Sequence, residues 1–153
     1  MNTLVRTRLD GMSFALGSTR AVAVTADVFA LEDHPQFAFI PGTKPSFQGF
    51  LKYASRMVPC FDLQIFCGLP PSIEGKGSCL ISQTAAGELA AIWVKDVRGV
   101  RGVGDSAPTS NPEIPSALAP YVLNSCGIGG TPHLLIDIQK LVTDLSSDKI
   151  TLY

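Results

Sequence analysis

Apolar residues in this chain recur with period two or in short unbroken runs, and nearly every run ends at Gly, Pro, Asp or Ser. Such a pattern leaves little room for long helices. Alternation places every second side chain on one face of a strand, and frequent breakers keep each strand short. The runs predict strands over Met12–Leu16, Ala21–Thr25, Phe37–Ile40, Phe47–Tyr53, Met57–Phe61, Ser78–Gln83, Leu89–Val94, Val97–Val103, Tyr121–Cys126 and His133–Ile136. Ala85–Glu88 reads as a hairpin turn, and Gly127–Thr131 as another. Many short strands at regular spacing predict a mainly β fold of barrels or a sandwich, not a parallel sheet layered with helices.

Two helical signals interrupt this pattern. Asp137 stands where an N-cap belongs, ahead of Ile138, Leu141, Val142 and Leu145, which share one face at helical spacing. Asp62 caps a shorter predicted turn over Asp62–Cys67, with Leu63 and Phe66 directed inward. The segments 68–77 and 105–120 read as loops. The first, holding Pro70-Pro71, is expected to divide two subdomains of one domain spanning 1–153. The second is long for a structureless loop and is a candidate for mobility or partner contact. Residues 1–11 and 146–153 are expected to be tails.

At 153 residues the chain can bury a core without disulfides or metal. Only 16% of its residues are charged, against roughly 25% in an average soluble domain. A chain so poor in charge must bury an unusual share of itself or present apolar surface to a partner. Its net charge of −1 argues against gripping nucleic acid or anionic lipid, which requires clustered Lys and Arg. Cys60, Cys67, Cys79 and Cys126 form no close metal-binding or redox motif in sequence. They are expected to be free, buried thiols in a reducing compartment. Arg6, Arg8 and Asp10 interrupt any leader-like run, and no apolar stretch reaches the roughly 18 residues of a membrane span. A cytoplasmic protein without membrane insertion is the expectation.

No pattern points to catalysis. His133 follows Cys126 and precedes Asp137, but nearness in sequence does not make a nucleophilic triad, and a polar residue on a strand is the simpler reading. His34 lies in a polar turn, Glu32-Asp-His-Pro35. Arg98-Gly-Val-Arg101-Gly-Val-Gly104 lacks the strand–loop–helix context of a phosphate loop and reads as a strand with a glycine-rich end. Trp93, between Ile92 and Val94, reads as core. Phe37, Phe39, Phe47, Phe50 and Tyr53 form the densest aromatic cluster; core is the simpler reading, and alternation turns part of it outward or into a cleft between the subdomains.

One segment is more specific. Ile40-Pro-Gly-Thr43, Gly49, Lys52-Tyr53-Ala54-Ser55, Pro59 and Asp62-Leu63 follow in an order that resembles the CheW-like adaptor family. That family reads Ile-Pro-Asn-Thr-Pro, Gly, Asn-Leu-Arg-Gly, Pro and Asp-Leu. Val94-Lys-Asp-Val97 resembles its Val-Asp-Gly-Val turn, and Tyr121 through Leu134-Leu-Ile-Asp137 to Leu141 resembles its last hairpin and helix. The resemblance covers about Ser13 to Leu145. It implies two small five-stranded β-barrel subdomains sharing a core, with a short C-terminal helix. It also implies a non-catalytic scaffold with no cofactor and no metal, whose partners are a CheA-type histidine kinase regulatory domain and the cytoplasmic tip of a methyl-accepting chemoreceptor. The implied contact residues are Val28, Ala30, Pro41, Gly42, Thr43, Ala54 and Ser55. Two positions depart from the pattern: the family's Glu is Ala30 and its Arg is Ala54. The pair is usually linked, so losing both strands no unpaired charge. A divergent adaptor with changed partners, as in a pilus-controlling pathway, is the alternative. A small barrel binding a ligand or nucleic acid is a more distant one.

Overall fold

The computed structural model describes residues 9–33, 35–38, 45–71 and 77–147. Its strands are β1 (Asp10–Leu16), β2 (Thr19–Val24), β3 (Ala30–Glu32), β4 (Phe37–Ala38), β5 (Phe47–Tyr53), β6 (Arg56–Asp62), β7 (Gly77–Gln83), β8 (Leu89–Arg101), β9 (Val122–Ile128) and β10 (Thr131–Ile136). Its helices are α1 (Leu63–Phe66) and α2 (Ile138–Leu145). Hydrogen bonds join the strands into one sheet in the order β4-β5-β6-β8-β1-β2-β10-β9, with β7 attached to β8 and β3 attached to β7.

β8 organises the molecule. Its first part pairs with β6 on one side and β7 on the other, while its second part pairs with β1. The sequence predicts two strands here, over 89–94 and 97–103; instead one strand continues through the expected turn. Asp96 takes a positive φ of 53°, and its carboxylate accepts hydrogen bonds from Arg20 and Arg98, each at 2.9 Å. Those contacts accommodate a kink, and the ladder to β1 shifts register between Ser13 and Ala15. The chain bends from one lobe into the other without reversing.

The two lobes are therefore not consecutive in sequence. A central lobe holds β3 to β7 and the start of β8; a terminal lobe holds β1, β2, β9, β10 and the end of β8. The segment 68–77 was expected to divide them, yet β7, which follows it, pairs with β3, which precedes it. Neither lobe closes its ladder among the described residues, so both are barrel-like rather than closed barrels. β3, not anticipated as a strand, is too short and too irregular in its apolar pattern to stand out. The expected N-terminal tail over residues 1–11 reaches too far into the chain, because Asp10 and Gly11 already belong to β1.

Alternation along the strands feeds three apolar clusters. Leu51, Val58, Cys60, Cys79, Ile81, Leu89 and Ala91 fill the central lobe. Val22, Val103 and Cys126 fill the terminal lobe. The largest cluster lies between the lobes, with Phe14, Phe61, Leu80, Ile92, Leu134 and Ile136 among its members. Successive residues of β8 show the logic: Leu89 and Ala91 point into the central lobe, Ala90 and Ile92 into the shared core. α2 seals that shared core with Ile138, Leu141, Val142 and Leu145, all buried. Burial of each such side chain contributes about 1.5–3 kcal/mol relative to exposure. The Asp137 carboxylate accepts from the Lys140 N–H at 3.1 Å and caps the helix. Asp62 caps α1 in the same way, accepting from the N–H groups of Gln64 and Ile65.

The described aromatic residues divide between the clusters, but a register shift between Phe47 and Gly49 departs from strict alternation and brings Phe47 and Phe50 to the same cluster. Phe39 lies outside the described residues. Phe47 packs edge-on to Phe50 and tilted against Phe61 in the shared core. Phe37 instead stacks on Trp93 at 4.6 Å in the central lobe. The long loop after Gly104 is anchored at two places. The Gly127 N–H donates to the Ser106 carbonyl at 2.9 Å, and Leu118 is fully buried.

Candidate partner-binding surface

Two short segments of the central lobe carry the described candidate residues. A 3-10 turn at Thr25–Asp27 delivers the chain to β3, where the Val28 N–H donates to the Thr25 carbonyl at 3.0 Å. The Phe29 N–H then donates to the Ile81 carbonyl at 2.7 Å, which pins this segment to β7. Val28 is half-buried against the shared core. Ala30 lies opposite Ile81 and packs on the central-lobe cluster. Phe29 turns outward and is 52% exposed.

The second segment is the β5–β6 hairpin, in which Tyr53 pairs with Arg56 across a two-residue turn. Ala54 and Ser55 form that turn at φ 47° and 65°, and both are exposed. Positive φ at both positions is the hairpin geometry that ordinarily selects Asn-Gly or Gly-Gly. The β9–β10 hairpin meets the same demand with Gly129 and Gly130, at φ 56° and 80°. In β5–β6, Ala and Ser carry it, at a cost of roughly 1–2 kcal/mol per left-handed residue.

The Phe29 and Tyr53 rings meet edge to face, with centroids 6.4 Å apart and planes at 82°. This contact joins the two segments into one patch. Val28, Phe29, Ala30, Tyr53, Ala54 and Ser55 include no Asp, Glu, Lys or Arg. Pro41, Gly42 and Thr43, the remaining candidates, lie outside the described residues, as does His34. Phe29 is the member that sequence reading missed. Its position in an apolar run gave no sign that it would face outward.

A groove of about 740 Å³ runs along the other side of the same hairpin. Phe50, Met57, Pro59 and Leu89 give it an apolar floor, with Glu88 and Thr143 at its sides. Met57 is 55% exposed there.

The polar residues in the interior do structural work. The His133 Nδ1–H donates to the Thr131 carbonyl at 2.8 Å, and its Nε2 accepts from the Ser13 hydroxyl at 2.8 Å. The Arg20 Nε–H donates to that same Ser13 oxygen at 2.9 Å. Burial, reinforced by the positive charge of Arg20, pushes the His133 pKa below its usual 6.5. Ser13 and His133 are both sealed from solvent, and the second ring nitrogen meets a backbone carbonyl instead of a carboxylate. Asp137, the third member of the nearby sequence constellation, is engaged as the α2 cap. Among the described residues no group of acidic, His and Cys side chains is placed to hold a metal ion. No helix among them is long and apolar enough to cross a membrane.

Sequence and fold comparisons agree with this architecture. The family model of the CheW-like domain matches residues 10–146. The chain belongs to the CheW-like family. Its match therefore spans β1 through α2, including both lobes and the shared core. Among solved structures, the crystal structure of the scaffolding protein TtCheW from Thermoanaerobacter tengcongensis superposes with a TM-score of 0.73 at 16% identity, covering 88% of each chain. No curated protein sequence matches. CheW-like domains are scaffolds of chemotaxis signalling, and this chain shares their fold and their class of role.

Proposed function

We propose that this CheW-like protein acts in the cytoplasm as a non-catalytic coupling scaffold. It joins the cytoplasmic tip of a methyl-accepting chemoreceptor to the regulatory domain of a CheA-type histidine kinase. The observation that carries this reading is the Phe29–Tyr53 contact, which makes one uncharged surface out of the Val28–Ala30 and Ala54–Ser55 segments. A scaffold needs preformed apolar surface, because ordering a mobile segment at the moment of binding would offset part of the affinity. β3 and the β5–β6 hairpin, both hydrogen-bonded into the sheet, supply it. The receptor is read as a helix laid against this surface, with Phe29 as the central aromatic contact.

The test is titration of the protein against a purified receptor cytoplasmic fragment and, separately, the kinase regulatory domain. Phe29→Asp places a charge on the patch and is expected to weaken receptor binding by tenfold or more, while a substitution at exposed Leu123 on β9 leaves it unchanged. Equal affinity for Phe29→Asp and the unsubstituted protein would remove this surface from the function. Ala30 and Ala54 favour a second reading, in which the scaffold serves an alternative chemosensory pathway, such as one controlling pili, with partners that no longer require the charged pair. Partners that bind the unsubstituted protein but not a variant carrying Ala30→Glu and Ala54→Arg would support that reading.

A further inference from the structure

Cys60 and Cys79 sit on strands separated by a third, yet their sulfur atoms lie 3.2 Å apart. Cys60 is on β6 and Cys79 on β7, strands that flank β8 on opposite sides. In a flat sheet, strands two places apart are separated by about 9.5 Å. Curling of the central lobe around its apolar interior folds both side chains into the same cluster, where neither thiol is exposed. A disulfide requires a sulfur separation of about 2.05 Å, so bond formation needs an approach of roughly 1 Å. The remaining cysteines, Cys67 and Cys126, lie elsewhere: Cys67 follows α1 and Cys126 fills the terminal lobe.

We propose that Cys60 and Cys79 form a redox-convertible pair that closes to a disulfide on exposure to a peroxide, fastening β6 to β7 across β8. One sulfur attacks hydrogen peroxide, breaking the O–O bond to give a sulfenic acid and water. The second sulfur displaces the hydroxyl of that sulfenic acid, forming the S–S bond and releasing a second water. The two thiols together lose two hydrogens and two electrons, and the peroxide takes them up. Burial, with help from its neighbour Cys79, holds the Cys60 thiol protonated at rest. Oxidation is therefore gated by opening of the lobe. The strand beside Cys79 on the outer side of β7 is β3, only three residues long, whose Glu32 pairs with Cys79. The same strand carries Ala30, so the bond would stiffen the sheet directly beneath the candidate partner surface.

The folded, unsubstituted protein is exposed to hydrogen peroxide, the peroxide is removed, the remaining thiols are alkylated under denaturing conditions, and the chain is digested with trypsin and chymotrypsin without reduction. Cleavage at Phe61, Leu63 and Phe66 separates Cys60 from Cys67, and cleavage at Lys76 separates Cys67 from Cys79. Mass mapping is expected to show a Cys60–Cys79 linked peptide in monomeric protein, abolished by dithiothreitol. In a Cys67→Ser variant the same link is expected, and in Cys60→Ala an alkylated Cys79 in its place. The proposal is overturned if Cys60 and Cys79 both remain alkylatable while urea-unfolded protein oxidises under the same conditions. Linkage that favours Cys67, Cys126 or a second chain overturns it equally. If Cys60→Ala does not fold, the map of the unsubstituted protein decides alone.

Discussion

His133 is held neutral by its surroundings, and this makes one residue responsible for a pH dependence of stability. Its ring donates to one carbonyl and accepts from Ser13, and protonation would place a second positive charge near Arg20. Because burial lowers its folded pKa below the ordinary 6.5, the unfolded chain binds the proton more readily. Stability from this residue is fully present above the unfolded pKa and is lost as pH falls from there through the folded value. Urea midpoints measured from about pH 8 down to about pH 5 should therefore decline in the lower part of that range. His133→Gln should flatten that part of the decline, and an unchanged slope would show that other groups set it. The β5–β6 turn gives a second residue-scale expectation. Left-handed Ser55 costs roughly 1–2 kcal/mol, and glycine's added freedom in the unfolded chain offsets about 0.5–1 of that. Ser55→Gly should stabilise the fold by about 0.5–1 kcal/mol in denaturant titration. A loss of stability would mean that Ser55 makes compensating contacts in the turn.

At the scale of elements, α2 is the one most strongly fixed by its own residues. The Asp137 cap and the Ile138, Leu141, Val142 and Leu145 stripe are readable from spacing alone, and all four side chains are buried as that stripe requires. Leu141→Ala should cost about 2–5 kcal/mol in denaturant unfolding, and Asp137→Ala about 1 kcal/mol. A near-neutral Leu141→Ala would contradict the sealing role of the helix. The hairpins at Ala85–Glu88 and Gly127–Thr131 were legible for a similar reason, since their turn residues are local. β8 was not. Val94-Lys-Asp-Val97 has the composition of a turn, and Asp96 is held in a kink by Arg98 nearby together with the distant Arg20 on β2, whose approach no local pattern announces. β3 was missed because its three residues gain their strand character from β7, far along the chain. The candidate surface was half legible for the same physical reason: motif order located Ala30 and Ala54, but the outward turn of Phe29 depends on pairing with Ile81.

At the scale of the whole molecule, the resemblance to the family and the packing of the central lobe converge on one relation. Ala30 and Tyr53 pack on the same small cluster, and Ala54 adjoins Tyr53. Ala30→Glu and Ala54→Arg, each alone, should add a charge without a partner. Together they should show a coupling of about 0.5–3 kcal/mol in a double-mutant cycle, nearer the low end if the site is wet. Strict additivity would separate the two positions and undo the alignment over Val28–Leu63.

A scaffold differs from a simple binder in holding two partners at once, and that property can be measured directly. A receptor cytoplasmic fragment assembled on vesicles is mixed with the kinase regulatory domain and sedimented, with and without this protein. The kinase domain is expected to enter the pellet only when the protein is present, and Phe29→Asp is expected to abolish its recruitment without unfolding the chain. Recruitment that is independent of the protein, or no ternary pellet although each partner binds the protein separately, would contradict the coupling role.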